Sequence, residues 1–465
     1  MAPVDQAGKP AQSAVVVGGG LAGVTTALQL AEAGVAVTLL EGRPRLGGLA
    51  FSFRRGELTV DNGQHVYLRC CTAYRWFLDR IDGTRLAPLQ DRLDVPVLDV
   101  GHPRGPRLGR IRRDPLPVPF HLARSLATYP HLSLAERASV GRAALALRKL
   151  DPADPALDGI DFGTWLGRHG QSPRAVEALW DLIGVPTLNA PAPGASMGLA
   201  AMVFKTGLLT DPGAADIGWA HVPLGRLHDT LAAKALDGLG VRTLLRTKAE
   251  RISRTGDGRW TVEVPGETLT ADAVVLAVPQ TETHALLPEG ALDDADRLLD
   301  IGTAPILDLH VVYDRKVLKR PFFTALGSPV QWVFDRTESA GLTGGGQYLA
   351  ISQSAAQDEI DVPVAALRAR YLPELERLLP AARGAGVRDF FVTRERTATF
   401  APTPGVGRLR PGARTRAPGL YLAGAWTATG WPATMEGAVR SGFSAAGAAL
   451  SAFGRRHDHP LQEAA

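Results

Sequence analysis

One stretch near the start of the chain, residues 14–48, constrains the fold more than any other: AVVVGGGLAGVTTALQLAEAGVAVTLLEGRPRLGG. Ala14–Val17 is a short apolar run of the kind that forms a buried parallel strand. Gly18, Gly20 and Gly23 follow directly as G-x-G-x-x-G and open a helix. The first glycine permits a tight turn, the second lets the backbone approach a pyrophosphate, and the third lets helix and strand pack closely. The pattern predicts a dinucleotide-binding α/β unit.

The residues after this helix complete the unit. Val35–Leu40 is predicted to be the second strand, and Glu41 ends it 18 residues after Gly23. A carboxylate there can accept hydrogen bonds from both hydroxyls of a ribose, and the helix N-terminus offers free N–H groups to the phosphates. A glycine turn in an α/β protein without a nucleotide is the alternative interpretation.

The basic tail of the motif distinguishes between nucleotides. Arg43, Arg45, Gly47 and Gly48 extend Glu41 into E-x-R-x-R-x-G-G, which resembles the FAD-binding N-terminus of the amine oxidase and phytoene desaturase superfamily. The resemblance implies an α/β fold, in which a Rossmann-like FAD-binding domain of the amine oxidase and glutathione reductase type carries an inserted α+β substrate domain. A solvated basic loop is the alternative interpretation of the two arginines.

A second segment with FAD-binding character lies near the C-terminus. Gly419–Gly424 is predicted to be a strand and Thr434–Leu450 a helix with one apolar face, which Thr434 can cap. In the superfamily that it resembles, the N-terminus of this helix points at the flavin, where its dipole stabilises the anionic reduced ring. The strand usually ends in A-G-D, whereas Ala425 follows Gly424 here, so a carboxylate directed at the cofactor is missing.

The resemblance places the expected FAD contacts in the glycine loop, the basic tail, the turn after residue 61, one mid-chain position and the C-terminal motif. These residues are Gly18, Gly20, Leu21, Ala22, Gly23, Glu41, Gly42, Arg43, Arg45, Gly47, Gly48, Leu49, Gly63, Gln64, Ala249, Gly424, Ala425, Thr434, Met435, Glu436 and Ala438.

The order of these patterns along the chain predicts discontinuous domains. Trp260–Val264 and Glu267–Thr270 flank a tight turn as in a hairpin, and Asp272–Pro279 (DAVVLAVP) reads as a buried strand. We therefore expect the chain to return to the nucleotide-binding domain after its first excursion. The FAD-binding domain is predicted at 13–68, 222–285 and 396–455, and the substrate-binding domain with a helical part at 69–221 and 286–395. Residues 1–12 are expected to be a disordered extension and 456–465 a tail.

Composition narrows the class of protein. The 465 residues are 45% hydrophobic and 21% charged, enough for large cores, and the net charge of +4 is too small to indicate nucleic acid binding. The two cysteines, Cys70 and Cys71, are neighbours that fit disulfide geometry poorly, which is typical of a reducing compartment. Because the start does not resemble a signal peptide and no apolar run reaches about 20 residues, we expect a cytoplasmic protein. No metal site is expected.

Several internal phrases are more specific than the superfamily motifs. They are VDNGQHVY at 60–67, LIGVPTLN at 182–189, AAMVFK at 200–205, ADIGWAHVPLG at 215–225 and GWPATM at 430–435. Together they resemble the hydroxysqualene dehydroxylase family, also called squalene-associated FAD-dependent desaturases. The family implies that hydroxysqualene, an allylic C30 isoprenoid alcohol, loses its hydroxyl as water and becomes squalene while reduced FAD is oxidised. It also implies a functional link to presqualene diphosphate and hydroxysqualene synthases, and it leaves the electron donor unknown.

Such a reaction needs a proton donor near the hydroxyl. The candidates are His65, Asp61, Asp216 and His221. A histidine needs only a small pKa shift to act as an acid, and a buried carboxyl group can stay protonated. Each has a structural alternative: a hydrogen-bonding role for His65, a turn or cap for Asp61, and a surface loop for Asp216 and His221.

The substrate also needs a dry tunnel. Large apolar side chains in the two segments of the substrate-binding domain and near the C-terminal motif are candidates for the wall of this tunnel. They are Met202, Phe204, Leu208, Trp219, Trp332, Phe334 and Trp431. An Arg-rich loop at 104–113, followed by Leu116 and Phe120, resembles a basic and apolar membrane-surface patch. Peripheral contact with the inner face of the cytoplasmic membrane and a solvated loop are both compatible with this segment.

Two other functions stay open from the sequence. An oxidative phytoene-type carotenoid desaturase or an amine oxidase would use the flavin in the opposite direction on the same fold. A non-catalytic prenyl-lipid escort protein would need no flavin, and the intact glycine loop with Glu41 disfavours it.

Overall fold

The computed structural model describes residues 12–455. The expected tail at 456–465 and the expected N-terminal extension, apart from Gln12, lie outside the described residues. The strands are β1 (Ser13–Val17), β2 (Ala36–Glu41), β3 (Ser52–Arg55), β4 (Leu58–Asp61), β5 (Val66–Leu68), β6 (Asp94–Asp99), β7 (Arg107–Arg112), β8 (Ile217–Trp219), β9 (Arg242–Leu245), β10 (Arg251–Arg254), β11 (Trp260–Val264), β12 (Glu267–Ala271), β13 (Ala273–Leu276), β14 (Thr303–Tyr313), β15 (Phe322–Leu326), β16 (Trp332–Asp335), β17 (Gln347–Ser354), β18 (Val387–Phe400) and β19 (Leu420–Leu422).

The α-helices are mostly short, and the longest of them border the two large sheets. They are α1 (Leu21–Glu32), α2 (Thr72–Arg80), α3 (Ala123–Ala127), α4 (Leu134–Arg148), α5 (Pro155–Asp158), α6 (Phe162–Arg168), α7 (Pro173–Ala175), α8 (Leu182–Leu188), α9 (Met197–Phe204), α10 (Ala232–Gly238), α11 (Gln280–Leu286), α12 (Arg297–Asp300), α13 (Val364–Leu378) and α14 (Met435–Ala452). No helix within residues 12–455 is long and apolar enough to cross a membrane.

The nucleotide-binding half is built on a five-stranded parallel sheet in the order β19-β13-β1-β2-β9. The predicted strand β1 lies at its centre and pairs with β2 and β13, which explains its run of small β-branched residues. On one side α1 and α14 cross closely. A β-carbon at Gly442 would come within 2.6 Å of the carbonyl oxygen of Ala22, so the crossing requires a glycine there.

Beside this sheet, β10, β11 and β12 form a three-stranded antiparallel sheet. The predicted hairpin is confirmed, because β11 and β12 pair in antiparallel register from Trp260↔Ala271 to Val264↔Glu267. Gly266 in the connecting turn has a φ of 84°, which glycine adopts without strain.

The second half is built on a seven-stranded sheet in the order β18-β14-β17-β16-β15-β6-β7. The central strand β14 alternates its side chains between two environments. Leu307, Leu309 and Val311 belong to one apolar core with α13. The opposite face, which carries Asp308 and His310, turns toward β4 and the turn that follows it. This sheet therefore brings polar groups to the nucleotide-binding half.

A helical layer, α3 to α9, covers the far end of the seven-stranded sheet. Its centre is aromatic: the ring centroids of Phe162 and Phe204 lie 5.3 Å apart, and those of Trp180 and Phe204 lie 5.1 Å apart. All three rings are buried. The layer forms one continuous core with the sheet next to it.

The structure corrects one expectation and shifts another. The Arg-rich segment 104–113 is not a loop throughout, because Arg107–Arg112 forms β7 and pairs with β6. Arg110 of β7 donates two hydrogen bonds to Asp94 of β6, which lies 16 residues earlier in the sequence. Local sequence patterns do not reveal this contact. The strand β18 also runs across the domain boundary that we place between residues 395 and 396.

Candidate active site

The glycine loop between β1 and α1 has one crowded side and one open side. Gly18 adopts a φ of 110°, which favours glycine. A β-carbon at Gly23 would overlap the carbonyl oxygen of Gly18, so Gly23 keeps α1 close to β1. Around Gly20, apart from its two chain neighbours, the only described atom within 4 Å of an added β-carbon is the Cα of Gly48, at 3.7 Å. The backbone at Gly20 therefore faces free space in which a pyrophosphate can lie.

Glu41 ends β2 beside this loop and is held by two backbone groups. Its Oε2 accepts the N–H of Gly19 at 2.7 Å, and its Oε1 accepts the N–H of Arg43 at 2.7 Å. Because an ionised carboxylate has about four lone-pair sites, both oxygens keep the capacity to accept ribose hydroxyls. Leu21 and Ala22, the first residues of α1, are buried in the nucleotide-binding core.

The two glycines of the basic tail pack against the glycine loop. The N–H of Gly47 donates to the carbonyl oxygen of Gly19 at 2.9 Å. Gly48 has a φ of 57°, and a β-carbon there would come within 2.9 Å of the Cα of Gly20. The glycine loop and the Gly47–Gly48 turn therefore border the same space.

Arg45 lies across this tail. Its guanidinium carbon is 3.4 Å from the centroid of the Phe51 ring, and Nη1 donates to the carbonyl oxygens of Leu46 and Gly48. Burial lowers the pKa of Arg45, but a guanidinium in a protein stays protonated. Arg45 thus brings a fixed positive charge to the turn that borders Gly20.

Four further residues expected to contact the cofactor differ in their exposure. Arg43 and Leu49 are exposed, and Gly42 lies beside Lys248, next to the buried Ala249. The structure brings all of them to the end of β2 or to the tail that follows it.

In the C-terminal motif, Thr434 caps α14 as predicted, because its hydroxyl accepts the N–H of Gly437 at 3.1 Å. Met435 and Ala438, in the first turns of α14, are partly exposed. Gly424 has a φ of 141° and donates its N–H to the hydroxyl of Ser441 at 2.8 Å. The turn at Gly424 is therefore tied to the same helix.

Sequence reasoning missed Arg410, which organises the loop around Ala425. Its guanidinium is buried and donates to the carbonyl oxygens of Ala425 at 3.2 Å and Trp431 at 2.9 Å. Burial lowers the pKa of Arg410 to about 10. The side chain leaves no sequence signal for this role, since its acceptors are backbone carbonyls. It holds the segment in which the superfamily's usual carboxylate is replaced by Ala425.

Glu436 joins two helices. It is 1% exposed, and its carboxylate accepts the N–H groups of Ala73 at 3.1 Å and Tyr74 at 2.7 Å, together with Nε of Arg440 at 2.6 Å. Burial raises the pKa of Glu436. These contacts describe a link between the N-termini of α14 and α2.

His65 lies in the turn between β4 and β5, together with Gly63 and Gln64. Its Nδ1 is 2.9 Å from the carbonyl oxygen of Gly63, to which the ring N–H can donate. Burial lowers the pKa of His65, so the ring is neutral at pH 7. In that tautomer Nε2 carries no proton and acts as an acceptor.

The candidate carboxylates Asp61 and Asp216 are both paired with arginine. Asp216 has no exposed side-chain surface and accepts hydrogen bonds from Arg113 at 2.6 Å and Arg69 at 2.9 Å. Burial opposes its ionisation, but these arginines outweigh burial and lower the pKa of Asp216. Asp61 accepts Nη2 of Arg336 at 2.8 Å. Each of the two carboxyl groups therefore joins segments that are far apart in the sequence.

The second candidate histidine, His221, is exposed next to the end of β8. Its ring centroid lies 5.3 Å from that of Trp219. Partial burial and, to a smaller extent, the positive charge of Arg336 lower the pKa of His221. The segment that carries His221 is tied to Asp61, just before the turn that holds His65, because Arg336 binds both Ala220 and Asp61 and the N–H of Leu224 donates to Asp61.

A carboxyl group that sequence reasoning missed lies against that turn. Asp308 in β14 is 1% exposed, and its Oδ1 accepts the N–H of Gln64 at 3.2 Å. Burial raises the pKa of Asp308 to about 7. The sequence signal for this group is the pair of polar residues Asp308 and His310 at alternate positions of an otherwise mostly apolar strand.

Aromatic rings on β8, β15 and β16 form a continuous surface, here called the aromatic wall. Its members are Trp219, Phe322, Trp332 and Phe334. The ring centroids are 5.5 Å apart for Trp219 and Phe322, 5.5 Å for Phe322 and Phe334, and 6.0 Å for Trp332 and Phe334. Three of the seven expected substrate residues thus meet here. Trp431 lies elsewhere, under the guanidinium of Arg440 at 4.7 Å.

An apolar cavity of about 310 Å³ lies in the helical layer. Of the residues expected to contact substrate, Phe204 and Leu208 line this cavity, with Trp180, Ile183 and Leu209, whereas Met202 is buried outside its lining. The segment with Leu208 reaches the nucleotide-binding half, because a β-carbon at Gly207 would lie 3.6 Å from Leu68 of β5. The volume lies at the lower end of the range for small-molecule sites.

Within residues 12–455, no group of three or more His, Cys, Asp or Glu side chains is placed to hold a metal ion. A glycine loop with an open face at the end of a parallel strand is the arrangement of a dinucleotide-binding protein. The family model described as "Flavin containing amine oxidoreductase" matches residues 21–450. The chain belongs to this family, and its cofactor is a flavin.

Individual relatives fit this placement. The chain is 28% identical over 454 residues to the hydroxysqualene dehydroxylase of Sinorhizobium fredii, covering 94% of this chain and 98% of that protein. It is 30% identical over 482 residues to the carotenoid phi-ring synthase of Streptomyces griseus, covering 96% and 89%. Among solved structures, the cyclohexylamine oxidase of Brevibacterium oxydans shares the fold, with a TM-score of 0.71, 17% identity and coverage of 96% and 100%.

Proposed function

We propose that this protein is an FAD-dependent enzyme that removes the hydroxyl of hydroxysqualene reductively and yields squalene. The observation that carries the proposal is the cavity in the helical layer, which is lined mostly by apolar side chains such as Trp180, Ile183, Phe204, Leu208 and Leu209. Such surfaces suit a long hydrocarbon with one polar group. The name of the Sinorhizobium fredii relative and the internal phrases of the sequence support the same substrate.

The residues of the nucleotide-binding half fit FAD as the particular flavin. The open face at Gly20 accommodates a pyrophosphate, which FAD contains and FMN lacks, and Glu41 keeps lone pairs for the adenosine ribose. The N-terminus of α14, capped by Thr434, would face the flavin ring. Bound and reduced, the flavin supplies a hydride.

The chain's own residues prepare the substrate for that hydride. Loss of an allylic hydroxyl leaves positive charge spread over the neighbouring double bond, and the faces of aromatic rings attract positive charge. Trp219, Trp332 and Phe334 would therefore stabilise the charge that develops, while the surrounding apolar side chains exclude water that would otherwise add to it. His65, with its unprotonated Nε2, would contact the flavin side of the site.

The source of the substrate implies a lipid surface. Phe120 lines the cavity and is 60% exposed, and Leu116 nearby is 47% exposed, so this wall of the cavity reaches the surface. Arg148, which lines the cavity, and Arg124, between the lining residues Ala123 and Ser125, are exposed there. An apolar opening bordered by arginines fits an anionic membrane surface, from which a C30 alcohol could enter without crossing water.

A second candidate function is an oxidative carotenoid-type desaturase, which the likeness to the zeta-carotene desaturase of Synechocystis favours. Product analysis separates the two. Dithionite-reduced enzyme would be incubated without oxygen with hydroxysqualene, and oxidised enzyme with phytoene, each against a no-enzyme control. Squalene from the first incubation alone supports the proposal, whereas desaturated phytoene from the second alone would replace it.

A further inference from the structure

Asp308 occupies an unusual position for a carboxyl group. It lies in the middle of β14, away from solvent, and its Oδ2 has no hydrogen-bond partner among the residues that the structure describes. A β-carbon at Gly63 would come within 2.9 Å of this oxygen. The free oxygen therefore lies directly against the Gly63–His65 turn, where the flavin side of the site is expected.

Strand register places Asp308 on the same face of the sheet as the aromatic wall. Asp308 pairs with Ser352 of β17, and Ser352 pairs with Trp332 of β16. Directly opposed residues of antiparallel strands point to the same side. One row of side chains therefore runs from Asp308 through Ser352 to Trp332, and the carboxyl group stands at the end of the wall that adjoins the nucleotide-binding half.

The charged and titratable groups around Asp308 do not neutralise it. Glu395 on β18 disfavours a second negative charge, while the N–H of Gln64, which donates to Oδ1, and the nearby Ser352 favour ionisation. Tyr348 on β17 and His310 on β14 are neutral at pH 7, since burial raises the pKa of the first and lowers that of the second to about 3. A substantial share of Asp308 is therefore protonated at neutral pH, with a pKa of about 7.

We propose that Asp308 is the catalytic acid, which delivers the proton from Oδ2 to the departing hydroxyl of an allylic isoprenoid alcohol. The inference rests on the proposed function. The proton joins the hydroxyl oxygen, the C–O bond breaks with its electron pair on that oxygen, and water leaves. The allylic carbon, now electron-deficient, takes a hydride from the two-electron reduced flavin, which is oxidised. Asp308 regains its proton from water in the next cycle.

The other candidate acids are less suited to protonating the hydroxyl. His65 uses its Nδ1 proton toward Gly63, and its low pKa leaves Nε2 without a proton to give at neutral pH. Both oxygens of Asp61 are taken by other donors, including Arg336, and the arginines beside Asp216 lower its pKa. Asp308 alone among these four combines a free oxygen with a proton at pH 7.

The test compares flavin-loaded wild type with Asp308→Asn, Asp308→Glu and the control Asp181→Asn. Asp181 is a partly buried carboxyl whose pKa burial also raises, and it accepts the N–H of Ala192 in the helical layer rather than contacting the Gly63–His65 turn. Anaerobic single turnovers with hydroxysqualene would be measured across about pH 5 to 9. The protonated-carboxyl band in infrared spectra would be followed over the same range.

We expect Asp308→Asn to slow squalene formation on the order of 100-fold or more, the usual contribution of a general acid. Asp308→Glu should recover part of the rate with a shifted pH profile. The infrared band that disappears near pH 7 should be missing from Asp308→Asn and present in Asp181→Asn. Asp308→Asn turning over at a wild-type rate with an unchanged pH profile would overturn the inference. If wild type forms no squalene, the proposed function fails instead, and the infrared titration still decides whether Asp308 carries a proton.

Discussion

Asp61 and Arg336 join the two halves of the molecule through a nearly buried ion pair, with Oδ2 and Nη2 2.8 Å apart. Their side chains are 11% and 7% exposed. Asp61 ends β4, just before the Gly63–His65 turn, and Arg336 follows β16 and also donates to the carbonyl oxygen of Ala220 at 2.6 Å. This pair therefore positions the turn relative to the aromatic wall.

Arg336→Met should destabilise the protein by about 3 kcal/mol, because it leaves the Asp61 carboxylate buried without its partner. Urea denaturation followed by tryptophan fluorescence measures the change. Arg396→Met is the matched control: Arg396 pairs with Asp361 at 2.7 Å, but both side chains are exposed, so we expect a change within about 0.5 kcal/mol. Equal denaturation midpoints for the two variants would contradict the structural role of Arg336.

Gly20→Val should fold and yet lose its flavin. Gly20 has an ordinary backbone conformation, with φ −74° and ψ 177°, and open space for a side chain. The valine would therefore occupy the volume of the pyrophosphate without disturbing the loop. The ratio of flavin to protein absorbance in purified protein is the measurement. Gly256→Val, at another open glycine, should keep full flavin. Full flavin in Gly20→Val would rule out this pyrophosphate position.

Protonation of Asp308 should also appear in the stability of the protein. A carboxyl group whose pKa is raised from 3.8 to about 7 on folding stabilises the native state at low pH. That stability falls as pH rises from the unfolded pKa toward the folded pKa, and it is fully lost above about pH 7. Because an asparagine side chain does not titrate, Asp308→Asn should gain about 3 kcal/mol relative to wild type between pH 5 and pH 8, at about 1.4 kcal/mol per pH unit.

Denaturation of wild type and Asp308→Asn at several pH values, with flavin held at one concentration, measures this difference. A constant difference across that range would mean that Asp308 is already ionised at pH 5, and it would remove the protonated acid from the site.

Contact with a lipid surface should depend on the two exposed apolar residues at the cavity wall. Leu116→Ser with Phe120→Ser should lower co-sedimentation with anionic phosphatidylglycerol vesicles several-fold, because the side chains that would enter the lipid are lost. Leu299→Ser, 49% exposed on α12, is the control and should bind like wild type. If the wild-type protein does not co-sediment with anionic vesicles at low salt, the proposed membrane contact is wrong.

The parts of the site that sequence could predict are local ones. The glycine loop, the hairpin at Trp260–Ala271 and the Thr434 cap each depend on residues within a few positions of one another, so their patterns are complete in the sequence. The aromatic wall was anticipated only as a set of large side chains, because the contact between Trp219 and Phe322 spans two excursions of the chain.

The parts that sequence could not predict arise from long-range pairing. Asp308 reaches Gln64 across 244 residues, and Asp216 reaches Arg113 across 103. Neither partner is recognisable without the sheet register. The same holds for β7, whose arginines suggested a loop until their pairing with β6 was known.

The central claim is that reduced flavin in this protein is consumed by removal of an allylic hydroxyl. The most direct measurement is an anaerobic single turnover, in which photoreduced enzyme is mixed with hydroxysqualene while the absorption of oxidised flavin is followed and the lipid is extracted. The account predicts that the flavin band returns without oxygen and that squalene appears in an amount equal to the flavin oxidised. Flavin that stays reduced beside untouched alcohol would contradict it.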